Sequence, residues 1–172
     1  TLCLREVVGV KRNPSVSKNV LDSFRLDGQT AIVTGAAGLL GAEFSRTLGA
    51  AGARVAVLDL DPEKAESIAS EIRQTGGRAL AVAADVTSKD SLDQAVRRIG
   101  ESLGEVSVLV NSAAKDPKFD PKHRQAGTNA FEDFPLATWE EALKVNLTGV
   151  FLATQAVAPI MLQRGGGSVV NI

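Results

Sequence analysis

The sequence has few of the residues that many redox and metal sites require. Its 172 residues include one cysteine, Cys3, one histidine, His123, and no tyrosine. A single cysteine excludes an internal disulfide. One histidine and one cysteine are too few ligands for a His/Cys zinc cluster. We therefore predict no metal site, and we predict a reducing compartment, the cytoplasm, as the location of the protein.

An excess of charge of one sign and long apolar runs are also missing. The 19 lysine and arginine residues nearly balance the 20 aspartate and glutamate residues, for a formal net charge of -1. Nucleic-acid-binding proteins normally carry a basic face or a basic excess, so we predict no nucleic-acid partner. The stretch 145–162 is apolar but interrupted, so we predict no membrane segment. The interrupting residues are Asn146, Thr148, Gln155 and Pro159.

What is present is a regular alternation of short β-branched runs and helix-length amphipathic segments from about residue 29 onward. Continuously apolar strands are typical of a parallel sheet that helices cover on both faces. We predict one α/β domain over 25–172, a doubly wound parallel sheet that is incomplete after its fifth strand, and an N-terminal appendage or linker over 1–24. The predicted strands are 30–33, 54–58, 78–83, 106–110 and 168–172, and the predicted helices are 39–51, 62–75, 88–103 and 138–164.

Local signals mark the helix ends. Asp61 followed by Pro62 predicts an N-cap with proline at the first helical position. Thr138 with Glu141 fits a capping box, which predicts that the fourth helix begins there. Three glycines predict the ends of helices. They are Gly76, Gly104 and Gly165.

The segment TGAAGLLG, residues 34–41, follows the first predicted strand and opens the first predicted helix. Glycines in such a turn let the backbone approach a pyrophosphate, which the free amides of the helix N-terminus attract. A purely structural turn is the alternative. Asp59 ends the second strand, where an acid binds the ribose 2′-hydroxyl of NAD and repels the 2′-phosphate of NADP. We therefore predict NAD as the cofactor, with an ordinary strand-end acid as the alternative for Asp59.

Five motifs in order resemble the short-chain dehydrogenase/reductase family over nearly all of 26–172. They are TGAAGLLG at 34–41, Asp85-Val86 after the third strand, NSAA at 111–114, VNLTG at 145–149 and GSVVNI at 167–172. The resemblance implies the Rossmann fold and hydride transfer between a nicotinamide and an alcohol or carbonyl substrate.

The resemblance also implies roles for single residues. Asn146 matches a helix asparagine of the family's catalytic set, which helps to position a water in a proton relay; taken alone, it is a polar residue that faces a neighbouring strand. The implied cofactor-binding residues are Gly35, Gly38, Leu40 and Gly41 at the pyrophosphate, Asp59 and Leu60 at the adenosine ribose, Asp85 and Val86 at the adenine, and Asn111 and Ala113 at the nicotinamide ribose.

Two positions depart from the family pattern. The spacing TGxxGxxG resembles the extended branch, which acts on nucleotide sugars, whereas the rest of the chain resembles the compact branch. Leu39 takes the place of the compact branch's middle glycine, so its side chain is expected to point away from the pyrophosphate. Ala114 replaces the last glycine of the family's Asn-Asn-Ala-Gly tetrapeptide.

A long polar loop over 115–130 separates the fourth strand from its helix. Loops at the carboxyl ends of such strands border the substrate, so its cations could face an anionic or sugar-phosphate group, with a solvated loop as the alternative. This loop and the glycine turn favour a sugar derivative as the small-molecule substrate. The cations are Lys115, Lys118, Lys122, His123 and Arg124.

The family takes its proton donor from a Tyr-x-x-x-Lys motif after the fifth strand, and this sequence has no tyrosine. We expect the parent protein to be an NAD-dependent dehydrogenase, and we expect these 172 residues to be inactive alone. The resemblance implies a homodimer or homotetramer that assembles through the helix over 138–164. The alternative class is a non-catalytic dinucleotide-binding or interaction module.

Overall fold

The computed structural model describes residues 20–116 and 134–172. Five parallel strands form one sheet in the order β3-β2-β1-β4-β5, which confirms the predicted doubly wound topology. The order reverses between β1 and β4, and the carboxyl ends of these two strands form the edge where such sheets bind ligands. The strands are β1 (Thr30–Thr34), β2 (Arg54–Asp59), β3 (Arg78–Ala83), β4 (Val106–Asn111) and β5 (Ser168–Asn171).

Helices connect the strands as predicted, and a short 3-10 helix, Val20–Phe24, precedes the sheet. The fourth predicted helix is continuous but contains a π-helical segment. We call its full extent, Leu136–Gln163, the long helix. The helices are α1 (Leu39–Ala50), α2 (Pro62–Gln74), α3 (Lys89–Leu103), α4 (Leu136–Leu143) and α5 (Val150–Gln163), with the π-helical segment Lys144–Gly149 between the last two.

Two layers of helices cover the two faces of the sheet, because successive side chains of a strand point to opposite faces. On one face, Val33 packs in a cluster with Ile68 of α2. On the other, Ile32 packs in a cluster with Ile99 of α3 and Val157 of α5. Every residue of β1 is buried, so this central strand holds the two cores together.

Most of the predicted helix ends are confirmed. The Asp61 side chain caps α2 by accepting hydrogen bonds from the amides of Glu63 and Lys64. The three predicted terminal glycines all adopt the left-handed conformation that suits the residue after a helix. Their φ angles are +85° at Gly76, +90° at Gly104 and +87° at Gly165.

The predicted capping box at Thr138 is wrong. α4 begins two residues earlier, at Leu136, and no side chain caps it. The Pro135 carbonyl accepts the first helical hydrogen bonds, from the amides of Thr138 and Trp139, at 3.0 and 3.2 Å. Proline is tolerated at the start of a helix, so Pro135 takes the N-cap position. Thr138 therefore lies inside the first turn and not at the N-cap.

The long helix spans 28 residues and is long and apolar enough to cross a membrane, judged by length and composition only. Its polar residues, on which we based the prediction of no membrane segment, do not prevent this. Core helices of soluble proteins pass the same test, so the feature is weak evidence for a membrane span. One side of the helix packs onto the domain through Ala153, Val157 and Met161, which are at most 6% exposed.

Candidate cofactor-binding site

The glycine turn joins β1 to α1 and has little space around it. Gly35 has a φ of +62°, which disfavours any residue with a side chain. A Cβ on Gly35 would also lie 2.6 Å from the Ala113 Cα. The glycine therefore lets the turn after β1 touch the turn after β4. The structure thus brings Gly35, predicted at the pyrophosphate, next to Ala113, predicted at the nicotinamide ribose.

The first turn of α1 lies directly on the glycine turn. A Cβ on Gly41 would lie 2.2 Å from the Gly35 carbonyl oxygen and 2.9 Å from the Ala36 Cα. Both neighbours are backbone atoms, so a side chain at position 41 requires the turn itself to move. Leu39 and Leu40 are both exposed, with 88% and 54% of their surface accessible.

Thr34 links the turns after β1 and β4, a role that the sequence reasoning did not assign. Its hydroxyl oxygen accepts hydrogen bonds from the amides of Ser112 and Ala113, both at 3.1 Å. Thr34 is the last residue of β1 and pairs with Asn111 in the β4 register. A buried threonine just before the first glycine is the signal that could have indicated this contact.

Asp59 lies against the glycine turn. One carboxylate oxygen accepts a hydrogen bond from the Ala37 amide at 2.9 Å, and the other accepts from the Asp61 amide at 3.1 Å. Leu60, beside it, is exposed. Because a carboxylate has about four lone-pair sites, Asp59 retains acceptor capacity for two hydroxyl groups.

A cation also lies near this acid. The Lys64 ammonium, in the first turn of α2, is 2.8 Å from an Asp61 carboxylate oxygen. The pKa of Lys64 is raised, chiefly by its hydrogen bond to Asp61 and less by the charge of Asp59. Lys64 was not among the residues predicted for the site.

The residues after β3 divide between the surface and the core. One carboxylate oxygen of Asp85 accepts from both the amide and the hydroxyl of Thr87, each at 2.8 Å. Val86 is 7% exposed and belongs to the core cluster. A Cβ on Gly149 would lie 2.9 Å from Val86 Cγ2, so this side chain packs under the long helix. An adenine contact at Val86 would therefore involve its backbone.

Asn111 is buried beneath the turn that it begins. Its side-chain amide donates to Asn171 Oδ1 at 2.8 Å and to Thr154 Oγ1 at 3.4 Å. Its own Oδ1 is buried without a partner among the described residues. The side chain thus connects β4, β5 and α5, and it supports the predicted ribose site from below.

Asn146 lies in the π-helical segment and faces the chain just after β4. Its Oδ1 accepts from the Lys115 amide at 2.7 Å, and its Nδ2 donates to the Lys115 carbonyl at 3.1 Å. The Lys115 side chain forms an ion pair with Glu141 of α4, with 2.6 Å between Nζ and Oε1. π-helical turns occur frequently at functional sites.

Several of the residues named from the sequence lie outside the part of the chain that the structure describes. Lys118, Lys122, His123 and Arg124 lie outside the described residues, as do Cys3 and the first part of the predicted appendage. Within residues 20–116 and 134–172, no group of three or more potential metal-ligating side chains is present. A cavity of about 540 Å³ lies at the amino ends of β2 and β3, opposite the glycine turn, and none of the predicted site residues lines it.

Comparison with known proteins identifies the family. The sequence model of the short chain dehydrogenases matches residues 29–172. The chain belongs to this family. The match includes the glycine turn, Asp59, the turn after β4 and Asn146, and it confirms the resemblance seen in the motifs.

Three short-chain dehydrogenase relatives illustrate the range of the similarity. D-threitol dehydrogenase of Mycolicibacterium smegmatis is 37% identical over 87% of this chain and 54% of its own length. A 7α-hydroxysteroid dehydrogenase solved with NADH and 7-oxo glycochenodeoxycholic acid is 37% identical, with a TM-score of 0.77 over 88% of this chain and 55% of its own. A gluconate 5-dehydrogenase from Burkholderia cenocepacia, solved with NADP and tartrate, is 32% identical, with a TM-score of 0.77 over 89% and 56%.

The chain spans about half the length of the relatives that it matches. The matched half contains the glycine turn and the sheet described above. One of the two solved structures contains NADH and the other NADP, so membership of the family does not determine which nicotinamide cofactor this chain prefers.

Proposed function

We propose that the chain is the cofactor-binding portion of an NAD-dependent oxidoreductase, which transfers a hydride between nicotinamide and an alcohol or carbonyl carbon. The contact between Asp59 and the Ala37 amide of the glycine turn, at 2.9 Å, carries this proposal. An acid held against the glycine turn lies where the ribose hydroxyls of NAD need hydrogen-bond acceptors. The same negative charge repels the 2′-phosphate of NADP.

The residues fit a dinucleotide. Glycine at positions 35 and 41 lets the turn after β4 and the first turn of α1 pack closely on the glycine turn. The free amides at the N-terminus of α1 then attract a pyrophosphate. NAD, when bound, supplies the hydride acceptor for the reaction. We assign the pyrophosphate to Gly35, Gly38, Leu40 and Gly41, the adenosine ribose to Asp59 and Leu60, the adenine to Asp85 and Val86, and the nicotinamide ribose to Ala113 with Asn111 below it.

We assign Asn146 to the proton relay as a positioning residue. Its two hydrogen bonds to the Lys115 backbone fix the orientation of the Asn146 side-chain amide. They also hold the chain that follows the turn after β4. The 172 residues contain no tyrosine to act as the proton donor that the family resemblance implies. We therefore expect them to bind the cofactor and to show no turnover alone.

Polyhydroxy compounds are the substrates we propose. Two of the relatives are named for a neutral polyol and a sugar acid, D-threitol and gluconate. The polar side chains of Lys115 and Glu141 beside the turn after β4 are compatible with such molecules.

We also propose that the long helix joins two copies of the protein, which would form a homodimer or homotetramer in the cytoplasm. Its outer side carries large apolar side chains, which a subunit interface would remove from water. A membrane is the other environment that such a surface could occupy. The exposed apolar residues are Leu136, Trp139, Leu143, Leu147, Phe151 and Leu162.

The proposed cofactor preference is tested by fluorescence titration of the purified chain with NADH and NADPH. We expect NADH to bind more tightly. Replacing Asp59 with alanine removes the carboxylate acceptor. The loss of even one hydrogen bond to a charged group costs about 1.5 to 3 kcal/mol, so NADH affinity should fall at least about tenfold. Tighter binding of NADPH by the unaltered chain would contradict the proposal.

Two matched variants separate charge from turn structure. Asp59→Asn keeps an oxygen that can accept from the Ala37 amide and removes the negative charge, so it should lose most of the discrimination against NADPH. Asp90→Ala, in the first turn of α3, removes a carboxylate that is not among the assigned site residues and should leave both affinities unchanged. Equal behaviour of the Asp59 and Asp90 variants would remove Asp59 from the site.

A further inference from the structure

We propose that Glu141 sets the charge preference of the substrate site by neutralising the ammonium group of Lys115. The inference rests on the oxidoreductase function proposed above and concerns the choice between neutral polyols and sugar acids. Two observations carry it. They are the fixed backbone position of Lys115 and the ion pair that its side chain forms.

The backbone of Lys115 is held at the substrate side of the sheet. The residue follows Ala113 by two positions, after the carboxyl end of β4. Asn146 binds both its amide and its carbonyl, at 2.7 and 3.1 Å. Ligands of open α/β sheets bind beyond the carboxyl ends of the strands, so this lysine side chain begins at the border of the site.

The ammonium of Lys115 is already paired with Glu141 on α4, at 2.6 Å. This is the one ion pair that connects the long helix to the rest of the described residues. Glu140 and Lys144, close by on the same helix, are exposed and form no ion pair within the described part of the chain. Glu141 is thus the carboxylate that neutralises Lys115.

The ion pair between Lys115 and Glu141 is weak, so its effect on the choice between anionic and neutral substrates is modest. The side chains of Lys115 and Glu141 are 42% and 59% exposed. Exposed ion pairs contribute about 1 kcal/mol or less, so an incoming carboxylate could compete with Glu141 for the ammonium. An anionic substrate must displace Glu141 or approach its charge, whereas a neutral polyol does neither.

Removing the carboxylate weakens this preference. In Glu141→Gln the ammonium of Lys115 keeps its charge and loses its partner, so it attracts anionic groups to the border of the site. Sugar acids gain this attraction, and neutral polyols do not. The pair therefore favours neutral polyhydroxy substrates in the unaltered protein.

The test uses the full-length enzyme with NAD and compares kcat/KM for D-gluconate with kcat/KM for D-threitol. Glu141→Gln should raise the gluconate-to-threitol ratio about two- to fivefold, and the matched variant Glu140→Gln should leave it unchanged. The gain should shrink as ionic strength rises from about 0.05 to about 0.5 M, which a merely structural role would not predict. If gluconate is not oxidised, its inhibition constant against D-threitol replaces kcat/KM and should fall by the same factor.

A double variant completes the test. Glu141→Gln combined with Lys115→Met should return the ratio to the unaltered value or below it. The proposal is overturned by a gain that persists in the double variant, by a ratio that salt does not change, or by equal ratios in the Glu140 and Glu141 variants. Oxidation of D-threitol with an unchanged ratio overturns this inference alone, whereas no NAD reduction with either compound overturns the proposed function as well.

Discussion

The central strands β1 and β2 and the C-terminal part of the domain, from α4 to β5, differ in how far their side chains are buried. All of β1 and most of β2 are buried, and α1 and α2 cover one side of these strands. In contrast, no residue of α4 or β5 is buried among the described residues. Phe151 of α5 is 61% exposed although it is large and apolar. The strands β1 and β2 are thus enclosed within the domain. The long helix packs one side onto the core, through residues such as Val157, and leaves large apolar side chains exposed on its other side.

This contrast predicts that substitutions in the two regions change different properties of the protein. Changes in the glycine turn should lower stability and cofactor affinity together, because that turn is packed against backbone atoms. Changes on the exposed side of the long helix should alter association and leave the fold intact. The following experiments test this difference.

The largest effect is expected from Gly41→Ala. The added Cβ would lie 2.2 Å from the Gly35 carbonyl oxygen, so the turn must shift. We expect a loss of about 3 kcal/mol in the free energy of unfolding, measured by urea denaturation, and at least about tenfold weaker NADH binding.

Gly100→Ala is the matched control for Gly41→Ala. Gly100 lies inside α3, and an added Cβ there meets nothing within 4 Å. Alanine is the better helix former, so this variant should gain up to about 1 kcal/mol and bind NADH normally. Similar stabilities for the two variants would show that the close packing of the glycine turn is not required.

A smaller effect is expected from Phe151→Glu, on the exposed side of the long helix. A charge at the proposed subunit interface should weaken association by about 2 kcal/mol, or roughly 30-fold in the dissociation constant. Sedimentation over a range of protein concentrations measures this change. The urea midpoint of the monomer should stay within experimental error.

Phe24→Glu provides the comparison, because Phe24 is 70% exposed and lies in the 3-10 helix before the sheet. It should leave the association constant unchanged. If both phenylalanine variants associate like the unaltered protein, the long helix is not the interface. If the unaltered protein instead partitions into lipid vesicles and Phe151→Glu prevents this, the membrane alternative is favoured.

The smallest effect concerns Asp61, the cap of α2. Its pKa lies below the ordinary value of 3.8, first because the Lys64 side chain donates to it and then because of the amides of Lys64 and Glu63. A lowered folded pKa means that the charge stabilises the fold above pH 3.8 and that this contribution is lost as the pH falls through the folded pKa.

Asparagine also caps helices well, so Asp61→Asn isolates the charge. We expect the unaltered protein to have the higher thermal midpoint at pH 7, and we expect the difference to decrease as the pH falls from 3.8 through the folded pKa. Lys64→Met should reduce the difference at pH 7 because it removes the first cause of the pKa shift. A difference that is as large at pH 3 as at pH 7 would contradict this assignment.

Much of the fold could be predicted because its signals are local. The alternating runs predicted all five strands to within one residue at each end, and Asp61 and the three terminal glycines marked helix ends correctly. The capping box at Thr138 failed because Pro135, outside the motif, starts the helix earlier. The π-helical segment at Lys144–Gly149, which includes Asn146, was not predicted.

The site residues stay predictions, whereas the contacts among them come from the structure. The motifs named Gly35, Asp59, Asn111 and Asn146, all of which lie within the stretch that the family matches. They did not predict that Thr34 would hold the turn after β4 or that Glu141 would pair with Lys115. Both contacts join residues that are distant in sequence, so no local pattern encodes them.

The sequence by itself determined the order of strands and helices, the glycine turn and the acid at the end of β2, because periodicity, backbone conformation and strand-end position are local properties. The tertiary structure decided which of these residues meet. The parallel register that pairs Thr34 with Asn111 brings the two turns together, and the path of the long helix brings Asn146 and Glu141 to Lys115. Such contacts follow from the packing of the whole sheet against its helices, which no single segment specifies.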